Sequence, residues 1–355
     1  MSTGETIFVT GFPGFIASRL VRRLARDGGR FLLLVQPAFM NQARANLEEI
    51  ARETTRAVED FRILGGDITQ NKLGLSSRDW DTARADSTII FHLAALYDLA
   101  TARDPALLVN VMGTHNVNLF AKSVGSLRHY HYVSTCYVAG RRRGRILETE
   151  LEHDAGFRNY YEETKYLAET EVAALQPDLP ITIHRPSVVC GDSVTGETAK
   201  FDGVYYLIKY LLKSPRLFSI LNIGNPEVKL NLVPVDFVVE SLSVLARDER
   251  ALGKTLQLAD PNPLSTEELF DVISLEIAGH KSRLRLPAAV VQFALMSPPS
   301  PRLTGLPHSA VPYFFLEQTY DTLQASQLLG PVGISCPPFD SYVHKIVAYA
   351  ANHAA

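Results

Sequence analysis

Tyr161 and Lys165 stand four residues apart in the stretch NYYEETKYLAE, residues 159–169. On a helix that spacing places a phenol and an ammonium on one face. A cation beside a phenol favours the phenolate and lowers a pKa that starts at ~10, which is what a tyrosine needs to exchange protons near neutral pH. The other two tyrosines lack such a partner, because Tyr160 meets Thr164 and Tyr166 meets Thr170. The chemistry this pair supports is acid–base transfer to a substrate oxygen. The same spacing arises by chance on many solvated helices, so the rest of the chain has to supply the other parts of a reaction.

A second part is legible near the N-terminus. In VTGFPGFIA, residues 9–17, Gly11, Gly14 and Ala17 fall in a Gly-x-x-Gly-x-x-Ala spacing between an expected strand and an expected helix. A dinucleotide-binding turn needs this: one glycine for the turn, one for close backbone approach to pyrophosphate, a small residue for helix packing, and a helix N-terminus facing the anion. The candidate contacts there are Thr10, Gly11, Phe12, Gly14, Phe15 and Ile16. An acid at the end of the second strand would bind a ribose 2′-hydroxyl, and a base would accept a 2′-phosphate. Gln36 does neither well. With Arg44 on the next helix as a candidate phosphate contact, the missing acid favours NADP(H), with NAD(H) as the alternative. In GGDIT, Asp67 and Ile68 are placed to hold the adenine edge, and in FHLAA, Leu93, Ala94 and Ala95 leave room for a cofactor to pass. His92 reads as a packed strand residue. Asn110 sits inside a helix, where asparagine has poor propensity, as a structural hydrogen-bonder or as a catalytic residue in a polar relay.

These residues need a scaffold, and the chain alternates strand and helix to provide one. TIFVTG, RFLLLVQ, FRILGGD, STIIFHLAA, HYHYVSTCYV and ITIHRPSVV read as strands, with helices expected over 14–27, 41–57 and 104–123 and through the tyrosine stretch. Continuous apolar strand runs separated by helices predict an α/β fold, a doubly wound parallel Rossmann-type sheet. After Cys190 the alternation loosens into FDGVYYLIKYLL, KLNLVPVD, a helix over 237–246 and the proline-rich MSPPSPRLTGLP. The expected division is a dinucleotide-binding domain over 1–192 and 229–258, and a smaller, mostly helical substrate domain over 193–228 and 259–355.

Composition narrows the classes. The chain has 355 residues, 46% hydrophobic and 21% charged, with a net charge of −3, so nothing global points to nucleic acid or an anionic membrane. Cys136, Cys190 and Cys336 are far apart and lack metal spacing, which predicts no zinc site, no disulfide framework and a cytoplasmic setting. The N-terminus lacks a signal pattern, and LPAAVVQFALM (286–296) is about half of the ~20 residues a spanning helix needs, so no transmembrane segment is expected.

Taken in order, the glycine loop, GDIT, FHLAA, NVMGT, YVSTCYVAG, Tyr161 with Lys165, and HRPSVVCGD make the chain resemble the extended short-chain dehydrogenase/reductases over roughly residues 5–260. Within that superfamily, QARANLEEIA, GDITQNKLGLS, FHLAALYDL, NYYEETKYLAE and NLVPVDFVVE are similar to the branch of fatty acyl-CoA reductases and thioester-reductase domains. The resemblance implies Tyr161 as proton donor, Lys165 as its pKa-lowering and ribose-binding partner, and Thr135 as the catalytic hydroxyl. Strand alternation would let only one of Ser134 and Thr135 face the site, and Thr135 is the choice. Pro186, Ser187 and Val188 would lie beside the nicotinamide. The implied activity is NADP(H)-dependent reduction of an acyl thioester to an aldehyde, with further reduction to the alcohol left open. Alternatives are a ketone or alcohol reductase for flavonoid- or sterol-like substrates, and a non-catalytic NADP-binding regulator. An epimerase or dehydratase fits less well, since no added acid is evident beside the tyrosine.

The chain carries no adenylation or carrier stretch, so the acyl group is expected as a CoA ester or on a separate carrier protein. Arg141, Arg142, Arg143 and Arg145 in AGRRRGR are either a solvated basic turn or a receptor for phosphates of such a partner. FDGVYYLIKYLL and LPAAVVQFALM are either core helices or the lining of an acyl pocket, and Arg283 and Arg285 permit a peripheral membrane contact. A homodimer through the tyrosine helix is a further implication of the resemblance.

Overall fold

Seven strands form one parallel sheet, because each central strand is apolar on both faces and must be covered twice. The computed structural model describes residues 4–353, so the first three and last two residues of the expected domain limits lie outside the described residues. In chain order the strands are β1 (Thr6–Thr10), β2 (Arg30–Val35), β3 (Phe61–Gly65), β4 (Ile89–His92), β5 (His129–Val133), β6 (Ile181–Pro186) and β7 (Thr255–Leu258). Their spatial order is β7-β6-β5-β4-β1-β2-β3, every pair parallel. The order reverses between β4 and β1, and a crevice opens above the carboxyl ends of strands at such a switch point.

Alternate residues feed two cores. Ile7, Val9, Phe31, Leu33 and Phe91 point to one face, where α1 (Phe15–Ala25), α2 (Met40–Thr54) and the helix Val235–Leu245 cover them. Phe8, Leu32, Leu34, Ile90, Tyr130 and Tyr132 point to the other face, under α3 (Ser77–Asp86), α4 (103–123) and α5 (Tyr160–Ala174). Helix α4 is built from Arg103–Ala106, a wide π turn at Leu107–Met112, and Gly113–Ser123. The sequence predicts one regular helix over 104–123. The π turn is the difference, and it turns Asn110 inward, where its amide bonds to the neighbouring loop.

The later residues form a third core of Tyr205, Ile208, Leu211, Phe270, Ile273, Tyr342 and Ile346. It joins α6 (Val204–Lys213), α7 (Thr266–Ala278) and α8 (Phe339–His353). Ser265 and Glu268 start α7 with a reciprocal capping box that satisfies two otherwise orphaned N–H groups. The expected substrate stretch does not stay wholly apart from the sheet. Ala325, Leu328 and Leu329 pack into the first core, and Gln318–Tyr320 pairs in parallel with Gly144–Ile146.

On β5, His129 and His131 face away from the tyrosines and meet His184 of β6. The rings of His129 and His131 lie 3.8 Å apart, and His131 Nδ1 is 3.0 Å from His184 Nε2. Burial holds all three below the usual histidine value, His129 at about 4 and His184 at about 3. Unfolded histidines titrate at ~6.5, so below that pH the unfolded chain binds more protons than the folded one. Stability is therefore complete above that value and is lost as pH falls towards the folded values. Urea midpoints should fall between about pH 7 and pH 5, and His184→Gln should flatten that slope by about one proton. An unchanged slope in the variant would remove this cluster as the cause.

Candidate active site

A cleft of about 560 Å³ opens over the carboxyl ends of β1, β4, β5 and β6. Its floor begins at the glycine turn. Gly11 has φ +88°, and a Cβ there would sit 2.8 Å from the Ala94 nitrogen and 2.9 Å from the Leu93 carbonyl carbon. Only glycine permits both the conformation and the close approach. A Cβ on Gly14 would meet the Gly11 oxygen at 2.6 Å. Gly14 caps α1 without a side-chain acceptor, and no acid lies in the first turn, so the helix N–H groups face the cleft unclaimed. Ala17 is buried under the same turn. Further along the wall, the Ser134 and Ser187 hydroxyls are buried without a hydrogen-bond partner. A cradle closed to any Cβ, free helix donors and two orphaned hydroxyls fit a dinucleotide, and the chain's groups that would hold one are those of this wall.

The cleft gathers most of the residues singled out from the sequence. Thr10, Gly11, Phe12, Gly14, Phe15, Ile16, Gln36, Ile68, Leu93, Ala94, Ala95, Thr135, Tyr161, Lys165, Pro186, Ser187 and Val188 all line it. Three do not. Arg44 lies exposed on α2, while Gln42 takes the lining position. Asp67 is not among the lining residues; it accepts from the Thr69 N–H at 2.8 Å and from Gln36 Nε2 at 3.0 Å. Asn110 does not reach Tyr161 or Lys165. Its side chain accepts from the Leu96 N–H at 2.8 Å and donates to Thr164 Oγ1 at 3.0 Å, tying the loop after β4 to α5. Its observed bonds are those of a tie that positions the wall of the cleft.

Of the three tyrosines on α5, Tyr160 is exposed and Tyr166 packs at a tilt against His153 and Phe157. Tyr161 alone enters the cleft, edge-on to Tyr97 with ring centres 5.1 Å apart. Burial pushes its phenol up, the Thr135 hydroxyl opposes this, and the Glu162 and Asp202 carboxylates add to the rise. No hydrogen bond joins Lys165 to this phenol among the described residues. The Lys165 ammonium donates instead to Tyr132 Oη and to the Val133 carbonyl, each at 2.9 Å. Burial lowers Lys165 to about 7, against an upward pull from Glu169. Ser134 and Thr135 both line the cleft, because β5 ends at Val133 and strand alternation no longer applies.

Other site residues escaped the sequence reading. Asp202 lines the cleft and acts on the Tyr97 and Tyr161 phenols, so an acid does stand near the tyrosine. Burial raises its carboxyl, with Lys200 pulling it down. Lys200 Nζ also donates to the Tyr97 carbonyl at 3.2 Å. Nothing in FDGVYY separates such an acid from an ordinary helix-start residue. Tyr132 carried a signal, since alternation in HYHYV puts it on the same face as Tyr130, towards α5.

The start of α5 is fixed from far along the chain. Glu162 is fully buried, pairs with Arg158 at 3.1 Å, and accepts from the Tyr313 hydroxyl at 2.5 Å. Asn159 caps the helix through the Glu162 N–H and donates to the same Tyr313 oxygen at 2.6 Å. The arginine turn is clamped in a similar way. Arg142 pairs with Glu150, Arg143 with Glu317 and Arg145 with Asp321, and Gln318 donates to the Gly140 and Arg142 carbonyls. Among the described residues only Arg141 of the four lacks a carboxylate partner, and none of them lines the cleft.

A second, apolar cavity of about 30 Å³ lies between α6 and the helix Ala288–Leu295, lined by Tyr206, Leu207, Tyr210 and Leu295 among others. Most of FDGVYYLIKYLL is core, while Phe293 of the second stretch is exposed. Among the described residues no helix is long and apolar enough to cross a membrane, and no cluster of three or more His, Cys, Asp or Glu could hold a metal.

Comparison with known proteins adds to this geometry. A family model described as male sterility protein, an NAD-binding domain, matches residues 9–242. A linear gramicidin synthase from Brevibacillus parabrevis is 25% identical over 283 residues, covering 76% of this chain and 5% of that protein. Fatty acyl-CoA reductase wat of Drosophila melanogaster is 25% identical over 282 residues, covering 68% of this chain and 54% of its own length. The chain thus spans about half or less of these relatives. A crystal structure of the terminal R domain from the myxalamid PKS-NRPS biosynthetic pathway superposes with a TM-score of 0.80 at 26% identity, over 99% of this chain and 91% of that one.

The buried Glu162 cluster makes a prediction of its own. Tyr313→Phe removes one donor to a buried carboxylate and should cost ~1–3 kcal/mol in denaturant unfolding. Amide exchange should quicken first over residues 158–164. Loss of stability without local exchange at that helix start would contradict the role given to Tyr313.

Proposed function

The chain belongs to the male sterility protein family of NAD-binding domains, among the extended short-chain dehydrogenase/reductases, and from that premise we propose that it reduces an acyl thioester to an aldehyde with a nicotinamide cofactor. The observation that carries this reading is the meeting, in one cleft, of the Tyr161 phenol, the Thr135 hydroxyl and Lys165 with the glycine cradle. The names of the acyl-CoA reductase and the R domain among the similar proteins support a thioester as substrate, CoA-linked or held on a carrier. The cofactor is held by residues of the sheet domain, and the acyl group by the stretches 193–228 and 259–355, where the apolar cavity lies.

A bound reduced nicotinamide supplies the hydride. As negative charge grows on the carbonyl oxygen, the Thr135 and Tyr161 hydroxyls are the donors that stabilise it, and Tyr161 delivers its proton. Addition of hydride and proton to the thioester gives a hemithioacetal. Its C–S bond then breaks, releasing a thiol and the aldehyde. Burial keeps the Tyr161 proton in place until that oxygen needs it. Lys165, one turn further on α5, compensates the phenolate left behind.

The coenzyme reading is NADP(H), carried by the absence of an acid at Gln36. No basic side chain lines that end of the cleft, where Gln36, Phe39 and Gln42 stand, so discrimination should be weak. Gln36→Arg should raise the ratio of kcat/KM for NADPH over NADH by about tenfold or more, the effect of one charge-assisted contact. Equal use of both nucleotides by the variant would sink this reading.

The deciding assay follows NADPH and NADH absorbance with acyl-CoAs, aldehydes and ketones, trapping any aldehyde. Consumption with an acyl-CoA and a trapped aldehyde is expected, and Tyr161→Phe should lower kcat by about 10²–10⁴-fold while still binding the cofactor. Turnover with ketones alone would move the substrate to simple carbonyls. Full activity in Tyr161→Phe would end the catalytic assignment.

A further inference from the structure

The helix Ala288–Leu295 is apolar at every position but Gln292, and a helix of that composition is normally buried on all sides. This one is not. Among its described side chains it buries Val291 and Leu295, one turn apart, which pack with Leu306, Ala310 and Val311. Phe293 projects from the opposite side and is 83% exposed, with the half-exposed Val290 and Met296 beside it.

The apolar surface continues onto a neighbouring pair of short strands. Leu284–Arg285 pairs in parallel with Leu221–Asn222, and the Arg283 and Leu284 N–H groups both donate to the Ile220 carbonyl at 2.9 Å. Leu286 and Ile223, which follow the two strands, pack into the same cluster as Val291 and so hold the helix against the pair. On this pair Leu284 is 59% exposed, and on the turn just before it Leu217 is 62% exposed. Large apolar side chains left together in water mark an interaction surface.

The charge around them indicates the partner. Between Glu276 and Glu317 the chain holds no acid, but it does hold Lys281, Arg283, Arg285 and Arg302. Between Asp202 and Glu227 there is again no acid, only Lys209, Lys213 and Arg216. On a chain whose net charge is −3, this is a local reversal of sign. Arg285 is paired with Glu267 at 3.0 Å, whereas Arg216, Lys281, Arg283 and Arg302 are exposed and have no carboxylate partner among the described residues. We propose that this face docks on an anionic lipid surface, with Phe293, Val290 and Met296 entering the boundary between headgroups and acyl chains and the unpaired cations meeting the headgroups around them. Phe293 lines neither the cleft nor the apolar cavity. A lipid boundary takes up a projecting apolar side chain of any shape, whereas a protein partner has to supply a fitted socket and an acid for each cation.

The test is co-sedimentation of the whole protein with vesicles of phosphatidylcholine alone and of phosphatidylcholine mixed with phosphatidylserine, at low and at high salt. Binding to the mixed vesicles is expected, weakened by salt and much weaker on phosphatidylcholine alone. Arg216→Gln combined with Arg283→Gln should lower the partition coefficient about tenfold or more, since each basic residue near such a surface is worth about fivefold. Phe293→Ser should lower it severalfold, while Phe293→Trp should retain it and shift its indole emission to the blue on binding. All three positions are exposed, so these substitutions leave the fold intact. Absence of binding to the mixed vesicles overturns the proposal. So does binding that the arginine and Phe293→Ser variants leave unchanged, which would place the contact elsewhere. A wild-type dimer that Phe293→Ser separates, without affinity for vesicles, overturns it in favour of a second copy of the chain. Capture of an acidic carrier protein through the same residues, again without vesicle binding, overturns it in favour of that partner. Sedimentation needs no turnover, so the outcome does not depend on the substrate proposed above.

Discussion

Lys165 buries its amine in the interior, and much of the site follows from that. Taking a cation out of water costs several kcal/mol, and the cost is offset only where acceptors are already in place. The acceptors are the Val133 carbonyl, freed because β5 ends there, and the Tyr132 hydroxyl one residue earlier. Tyr132 can serve only if β5 presents its tyrosines to α5, which commits its histidines to the opposite core. One strand register thus fixes the lysine's bonds, the histidine cluster on the far face, and the point at which the chain leaves the sheet to give Ser134 and Thr135. A slip by one residue would exchange the two faces and leave the ammonium against imidazoles.

The same constraint explains why α5 is anchored so heavily. Its face towards the sheet carries Tyr161, Lys165 and Glu169 at four-residue intervals, an order that puts a phenol, a cation and a carboxylate in one buried row. Glu169 is held by Arg185 from β6, and Glu162 by Arg158 and Tyr313. Breaking such buried pairs costs more than forming them contributes, so their effect is to define one position for the helix. Because Tyr313 belongs to the later part of the chain, that part and Tyr161 share that definition.

Features set by local geometry were legible in the sequence. The strands of the sheet, the glycine turn and the choice of Tyr161 among three tyrosines follow from apolar runs, residue spacing and helical periodicity. What escaped depends on partners distant in the chain. Asn110 reads equally as relay or tie until its bonds to Leu96 and Thr164 are seen. The arginine turn reads as a basic patch until Glu317 and Asp321 arrive from far along the chain to neutralise it. Four-residue spacing puts Lys165 and Tyr161 on one face but does not say what each side chain bonds to. A shared face is not a shared hydrogen bond, and a buried ammonium goes to the stronger acceptors nearby. Asp202 had no local mark, since the fold alone carries the loop before α6 over the cleft.

The placement of Asp202 bears on the direction of the proposed reaction. A carboxylate near Tyr161 makes the phenolate harder to form, as burial does. For a group that must take a proton from an alcohol, both effects are obstacles. For one that must hold a proton and give it to a developing alkoxide, both are help, since the alkoxide of a reduced carbonyl is far more basic than any phenolate the site could make. What then has to be stabilised is the phenolate left after transfer, and the nearby cation available is Lys165. The electrostatics of the pocket thus keep Tyr161 protonated, the form that the proposed reduction uses.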